Sequence, residues 1–273
     1  MSASTSRPRD PRVSVVIPAR NEARNLEIIL PKLPPVYEVI LVDGNSVDDT
    51  IATAQRLMPS IKVVQQTRKG KGNALVCGFE AVTGDVVVMF DADCSADPDE
   101  IPRFVDALVA GADVAKGTRY ALGGGSDDIT IVRSLGNRGL NVVSNVLLGA
   151  RYTDLCYGYN AFWADTLPKI GLLSSTLPKP TDGSMLWGDG FEIETILTCR
   201  WSAADLVISE VPSHEKLRVH GTSNLNAITD GIRVLKSIMH ERRRATAAQT
   251  RARMAPITRA VPTAVPALDE EAA

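Results

Sequence analysis

The 273-residue chain reads as an α/β domain: a mainly parallel central sheet flanked by helices, followed by an amphipathic C-terminal helix. Three observations predict this. Short apolar, β-branched runs alternate with stretches whose apolar residues recur every three or four positions. The runs end in polar turns, as at Asp43-Gly44-Asn45-Ser46 and Asp91-Ala92-Asp93. Strand and helix keep alternating along the chain, which argues for a parallel, right-handed wound sheet.

Residues 1–11 are polar, lack the apolar stretch of a signal peptide, and are expected as a disordered leader. Residues 13–18 read as the first buried strand. Leu26, Ile29, Leu30 and Leu33 follow helical spacing, and Pro34-Pro35 ends that helix. Residues 37–42 form a second strand. Asp48 and Asp49 are candidate N-caps for a helix carrying Ile51, Ala54 and Leu57. Residues 61–65 are a third strand, 67–72 a basic, glycine-bearing loop and 73–82 a helix. The run 84–93 is a buried strand that ends in two carboxylates. Pro98 starts a helix near Asp99, and residues 113–116 are a further strand. Residues 123–126 are expected as a flexible loop. The helix expected at 135–148 carries Asn137, Asn141 and Asn145 along one polar face. Residues 154–162 and 206–211 read as additional strands with a helix at 191–201 between them; 171–190, rich in Pro, Gly and Ser, reads as an irregular loop. In 225–244, Leu225, Ile228, Ile232, Leu235 and Met239 step by three and four before Arg242-Arg243-Arg244. The tail 245–273 is expected to be disordered, with part of it able to extend the helix. The domain proper is therefore 12–224.

Composition excludes several classes. At 44% hydrophobic residues the chain can bury a substantial core, and its net charge of −2 gives no basic field for nucleic acid. Cys77, Cys94, Cys156 and Cys199 lie far apart with no Cys-x-x-Cys pair, which argues against a zinc site or disulfide framework. That usage suits a reducing, cytoplasmic setting. No run approaches the ~18 apolar residues needed to span a bilayer, so a membrane would be met from its surface.

Four stations sit at the ends of successive strands and so share one edge of the sheet. They are Pro18-Ala19-Arg20-Asn21-Glu22, Asp43 to Thr50, Lys69-Gly70-Lys71-Gly72, and Asp91-Ala92-Asp93. Side chains at i and i+2 of an extended chain point the same way, so Asp91 and Asp93 can converge beyond the strand end. In open parallel sheets that edge is where ligands bind. Two hard oxygen ligands suit Mg²⁺ or Mn²⁺, which completes its shell with water and substrate phosphates. Each station alone also suits a turn, a cap or a solvated loop. Lys69-Gly70-Lys71-Gly72 is no Walker motif, since neither Ser nor Thr follows the lysine. Together they offer acceptors for a base and ribose, cations for phosphates and carboxylates for a metal, a set suited to a nucleotide diphosphate.

In this order the four motifs resemble those of inverting family-2 glycosyltransferases with the GT-A fold, and within them the polyprenyl (dolichyl) phosphate mannose and glucose synthases. The resemblance runs from about Val13 to Lys236. Gly117-Thr118-Arg119-Tyr120 resembles that subgroup's Gly-Ser-Arg-Tyr. Residues 154–162 resemble its Asp-x-x-x-Gly-Phe-Arg-x-Phe, and 218–225 its Arg-x-x-Gly-x-Ser-Lys-Leu. The departures are Asn160 in place of Arg, Asn224 in place of Lys, and Cys94-Ser95 in place of Leu-Gln. They weaken the expected grip on a phosphorylated acceptor and put a third metal ligand in doubt.

The resemblance implies roles for the matched positions. Pro18, Ala19, Asn21 and Glu22 would line the base and ribose pocket. Asp43 would also hold the nucleotide, with Lys71 near it. Asp91 and Asp93 would hold Mg²⁺ or Mn²⁺ on the diphosphate of a GDP-mannose or UDP-glucose type donor. Arg119, Arg133 and Arg218 would meet phosphates, where a guanidinium fork suits better than a lysine point charge. The implied enzyme is a hexosyltransferase acting on a polyprenyl phosphate at the inner membrane surface. An anionic phosphate acceptor needs no strong base; a hydroxyl on a soluble or glycan acceptor does, and Asp189 is the candidate for that case. Segment 225–244 fits either an anionic membrane surface, the domain itself, or a second copy of the chain. A nucleotidyltransferase and a non-catalytic nucleotide-sugar-binding module remain the rivals from other classes. The first would show a glycine-rich loop after strand one, and the second a decayed set of aspartates.

Overall fold

A computed structural model describes residues 7–221 and 227–254. In chain order the elements are β1 (Val13–Ala19), α1 (Ala23–Ile29), β2 (Glu38–Asp43), α2 (Thr50–Leu57), β3 (Lys62–Gln65), α3 (Lys71–Ala81), β4 (Val86–Met89), α4 (Ile101–Val109) and β5 (Val114–Thr118). Then come β6 (Gly125–Ser126), α5 (Ile131–Leu148), β7 (Asn160–Trp163), α6 (Leu167–Ile170), α7 (Ile193–Ala203), β8 (Ile208–Pro212), β9 (His214–Glu215) and α8 (Ala227–Met254).

Seven strands form one sheet in the order β3-β2-β1-β4-β7-β5-β8. All neighbours are parallel except β7, which runs antiparallel to both β4 and β5. Ala19 pairs with Asp43 and Asp43 with Gln65, while Met89 pairs with Val16. The stations after β1, β2, β3 and β4 therefore do share one edge, because parallel strands end together.

Strand side chains alternate between the two faces, and both faces are covered. Val15, Ile17, Leu41, Val88 and Phe90 pack with Leu26 and Phe104 on one side. Val16, Ile40, Val42 and Val87 pack with Leu75, Phe162 and Trp201 on the other. Fully burying each such side chain is worth roughly 1.5–3 kcal/mol over leaving it in water. That is why the strands read as unbroken apolar runs.

Several boundaries differ from expectation. Arg7 ion-pairs with Asp113 at 2.6 Å and Asp165 at 2.8 Å and lies over the Trp163 ring, so residues 7–11 are tied to the domain. The sequence pattern misses this because a single long-range charge pair leaves no periodicity. Residues 125–126, expected in a flexible loop, form β6 and pair in parallel with β9. Residues 154–159 are irregular, and only the last part of the expected 154–162 strand is extended. Asn137, Asn141 and Asn145 do share a face, but it is turned inward: each amide donates, to Asp154, Thr153 and Tyr152 respectively.

The C-terminal helix packs on the domain. Val234 and Ile238 join Tyr152, Leu155 and Cys199 between α5, α7 and α8. Buried Glu241 receives both Nε and Nη2 of Arg200, at 2.9 and 3.0 Å. The Arg242 guanidinium donates to the Leu147 carbonyl. Of the seam picked out in the sequence, Ile232, Leu235 and Met239 are exposed, while Val234 and Ile238 make the contact with the domain. Leu225 and Asn224 lie outside the described residues. The helix also passes Arg244 and runs to Met254, since the Ala, Gln and Arg residues there are good helix formers. The remainder of the expected tail, 255–273, lies outside the described residues.

Candidate active site

A cleft of about 860 Å³ opens along the C-terminal edge of the parallel strands. Its lining draws on three of the four stations: Pro18, Ala19 and Glu22 at the end of β1, Gly70 and Lys71 at the start of α3, Asp91 and Asp93 after β4; no residue of 43–50 lines it. Arg119 and the 156–159 segment lie along it too, as do Glu194 on α7, Arg133 on α5 and Arg218 beyond β9.

The carboxylates are the centre of this arrangement. β4 stops at Met89, and Asp91-Ala92-Asp93 is a turn rather than extended chain, with Cys94 at φ +67°. The aspartates therefore reach the same cleft through a turn, not through strand alternation. Asp91 accepts from Lys71 Nζ at 2.8 Å, and Lys71 also donates to Glu194 Oε1 at 2.6 Å. Asp93 Oδ2 lies 2.7 Å from Arg218 Nη2, while its Oδ1 accepts from the Ser95 amide and hydroxyl. Ser95, at the uncertain third-ligand position, thus braces Asp93. Burial works to lower the Lys71 pKa, but the charges of Asp91 and Glu194 outweigh it and raise it, so Lys71 is a permanent cation here. Glu22 is shifted up, first by burial and further by the charge of Asp93, against a hydrogen bond from Asn25.

A divalent ion fits this donor set in one respect: two hard carboxylates on one cleft wall each already attract a cationic group at 2.7–2.8 Å. Among the described residues no cluster of three or more His, Cys, Asp or Glu is arranged to hold a metal. The chain's own residues would supply only part of a coordination shell, with ligand phosphate and water supplying the rest.

Other expected residues fall elsewhere. Asn21 does not line the cleft. It sits at φ +59°, and its amide and Oδ1 bind Ser46 Oγ and the Val47 amide, locking the loop after β1 to the loop after β2. Asp43, almost fully buried, accepts from the Ser46 amide and Gln65 Nε2 and shapes the same loop. Asp189 is unavailable as a base. Arg68 grips it through Nε at 2.8 Å and Nη2 at 2.9 Å, and both side chains are buried. Its backbone carbonyl accepts from the Gly72 and Asn73 amides at the start of α3. A side chain at Gly70 or Gly72 would collide with the backbone of residues 188–189, at 2.0 and 1.8 Å. The two glycines thus admit this loop, which takes helix-start donors that a phosphate would otherwise use.

The arginines differ in availability. Arg119 is spoken for: Asp154 takes Nε and Nη2 at 2.7 and 2.9 Å, and Glu215 takes Nη1 at 2.9 Å. It joins three segments around the cleft. Among the described residues Arg133 bonds to Asp128, at 3.1 Å to its half-exposed carboxylate and 3.4 Å to its carbonyl, and so is the more accessible guanidinium of the two. Asn160 is buried in β7 opposite Lys116 of β5, and both side chains donate to the Tyr157 carbonyl. Lys116 is fully buried, and that burial pushes its pKa below the ordinary lysine range. Sequence reasoning missed Lys116, Arg68 and Glu194. Lys116 is a lone charge in a strand, Arg68 one of three cations in the 67–72 loop and Glu194 a neighbour of Glu192; only the sheet pairing and the contact of the 188–194 segment with α3 and the loop before it give them partners.

Residues 14–167 match the glycosyl transferase family 2. The dolichol-phosphate mannosyltransferase of Pyrococcus furiosus is 36% identical over 228 residues, covering 80% of this chain and 60% of that protein. The polyprenol monophosphomannose synthase of Mycolicibacterium smegmatis is 36% identical over 180 residues, covering 62% of this chain and 68% of that protein. The chain belongs to the glycosyl transferase family 2. It spans about 60% of the length of the Pyrococcus relative. Its fold is that of the GT-A glycosyltransferases. The Mycobacterium tuberculosis glucosyl-3-phosphoglycerate synthase, solved in complex with Mn²⁺, UDP-glucose and phosphoglyceric acid, superposes with a TM-score of 0.64 at 24% identity, covering 85% of this chain and 80% of that one.

The buried Arg119–Asp154 pair sets an expected acid response. Burial works to raise the Asp154 pKa, but the hydrogen bonds and charge of Arg119 prevail and hold it below the ordinary carboxylate range. A folded pKa below the unfolded one gives stability that is full above the unfolded value of about 3.9 and lost as pH falls through the folded value. Asp154→Asn, followed by urea unfolding at several pH values, should lower stability at neutral pH and flatten the acid loss between about pH 5 and pH 2. An acid limb identical to that of the parent protein would contradict this assignment.

Proposed function

We propose that the chain is an inverting, metal-dependent glycosyltransferase that moves a hexose from a nucleotide-diphosphate sugar to a polyprenyl phosphate at a membrane surface. The observation that carries this reading is the continuity of two surfaces. The cleft that holds Asp91, Asp93 and Lys71 runs into an aliphatic wall of Ile129, Val132, Leu140 and Val234, contributed by α5, its approach and α8. Both helices then turn apolar side chains outward: Ile131, Leu135, Val142 and Val146 from α5, and Ile232, Leu235 and Met239 from α8. Helix α5 carries Arg133 and Arg138 and no acid, and α8 exposes Lys236, Arg242 and Arg243. An exposed apolar face of this kind marks an interaction site, and its basic rim suits anionic lipid. No helix among the described residues is long and apolar enough to cross a membrane, so contact would be peripheral. The names of the two relatives, which specify dolichol phosphate and polyprenol monophosphomannose, support the same acceptor class.

In this reading the diphosphate lies against the carboxylate turn and the acceptor phosphate enters between α5 and α8. A phosphate oxygen of the acceptor forms the new bond to the anomeric carbon while the bond from that carbon to the nucleoside diphosphate breaks, inverting the centre. A bound Mg²⁺ or Mn²⁺ supplies Lewis-acid neutralisation of the departing diphosphate. Asp91 and Asp93 would hold that ion. Arg133, paired among the described residues with half-exposed Asp128, is placed to exchange this partner for a phosphate. The acceptor oxygen is already anionic, so no proton need be removed. The burial of Asp189 against Arg68 is consistent with this and disfavours the hydroxyl-acceptor alternative that invoked it. The GDP-mannose or UDP-glucose choice stays within this proposal and calls for a donor panel.

A turnover assay with nucleotide sugars, polyprenyl phosphate and Mn²⁺ should yield an organic-soluble glycolipid and free nucleoside diphosphate. Asp91→Ala and Asp93→Ala should each reduce it by about 10²-fold or more. Release of nucleoside monophosphate, or a product confined to water, would overturn the reading. For the membrane face, Val142→Glu/Val146→Glu should abolish co-sedimentation with vesicles containing anionic lipid while leaving the melting temperature unchanged. Unaltered vesicle binding, or self-association in place of vesicle binding, would refute the docking surface.

A further inference from the structure

We propose that Glu194 is a positioning residue for the carboxylate turn: it takes part of the Lys71 charge and so leaves Asp91 able to accept a divalent cation. The inference rests on the glycosyltransferase reading above and adds a residue to its metal site. Lys71 Nζ stands between two carboxylates, 2.6 Å from Glu194 Oε1 and 2.8 Å from Asp91 Oδ1. The shorter contact is to the glutamate. The Asp91 side chain is about twice as open as that of Glu194, 33% against 15%. A cation arriving from the cleft therefore reaches Asp91 first.

Local backbone keeps this triangle open. A side chain at Gly158 would fall 2.5 Å from Glu194 Oε1 and 3.4 Å from Asp91 Oδ2. Both acids thus border the same space, which only a residue without a side chain leaves free. Lys71 begins α3 and Glu194 lies in the first turn of α7. The amides of Gly72 and Asn73 on the Asp189 carbonyl lock the start of α3 to the loop that leads into α7. Lys71 cannot simply swing away with a loop.

The charge count gives the consequence. Asp91, Asp93 and Glu194 against Lys71 and Arg218 leave one net negative charge. Without Glu194 the count is zero, and the whole Lys71 charge falls on Asp91. A divalent ion would then have to compete with a fixed ammonium for its ligand. Glu194 acts through Lys71 in this account and does not itself touch the ion.

The test is Mn²⁺ binding to the full chain, followed by the electron paramagnetic resonance of free Mn²⁺, alone and with UDP or GDP present. Glu194→Gln should weaken binding about tenfold, the order expected when one nearby charge is removed. Lys71→Met should tighten binding, which keeps the proposal testable if Glu194→Gln fails to fold. In the Lys71→Met background, Glu194→Gln should cost no more than about threefold, because its intermediary is gone. Equal losses in both backgrounds would mean that Glu194 acts directly on the ion and would overturn the positioning role. So would wild-type affinity in Glu194→Gln, or no tightening in Lys71→Met. Absence of Mn²⁺ binding by the wild-type chain under every condition would instead remove the metal reading itself, and this inference with it.

Discussion

Two carboxylates held at the end of a buried strand need positive charge close by, and the rest of the cleft is arranged around that need. Asp91 has Lys71 and Asp93 has Arg218, at 2.8 and 2.7 Å. The two cations come from distant parts of the chain, one from the start of α3 and one from the segment beyond β9. The carboxylate turn therefore draws the central sheet, α3 and the 213–221 segment to one place. That segment is held at further points: Lys216 pairs with Asp97, and Glu215 with Arg119. Unpaired, such partly buried charges would cost several kcal/mol each. Paired, they give a polar end to a cleft whose other end is aliphatic.

That division between ends is what ties the fold to the proposed chemistry. A charged end able to take a divalent ion suits a diphosphate, and an apolar end open to the exterior suits a lipid chain. Helices α5 and α8 serve both, since their inner faces wall the cleft and their outer faces carry exposed apolar side chains. The buried Arg200–Glu241 pair and the Val234–Ile238 contact hold α8 on the domain. The outward seam of Ile232, Leu235 and Met239 is thereby left for another surface.

Much of this was legible in the sequence, for a physical reason. A strand buried on both faces must be largely apolar, so β1, β2 and β4 announce themselves. Parallel connection then forces their exits to one edge, which is how Pro18, Lys71 and Asp91 could be grouped from the sequence. Which partner each charge finds was not legible. Asp189 and Arg68 are more than a hundred residues apart, and nothing local marks their pairing. The inward turn of Asn137, Asn141 and Asn145 was likewise hidden, because a row of amides reads as a solvated face unless the acceptors opposite are known. Which face of α8 meets the domain was left open by the sequence, because both of its faces carry apolar residues at helical spacing. Only the position of Glu241 against Arg200 decides which one turns inward.

The most direct test of the central claim is a crystal structure of the chain grown with Mn²⁺ and a nucleoside diphosphate, with anomalous scattering measured at the manganese edge. The account predicts one anomalous peak in contact with both the Asp91 and Asp93 carboxylates, with the Arg218 guanidinium moved off Asp93. A peak at another place in the cleft, or the diphosphate bound with Lys71 and Arg218 still in contact with the aspartates and no anomalous signal between them, would contradict it.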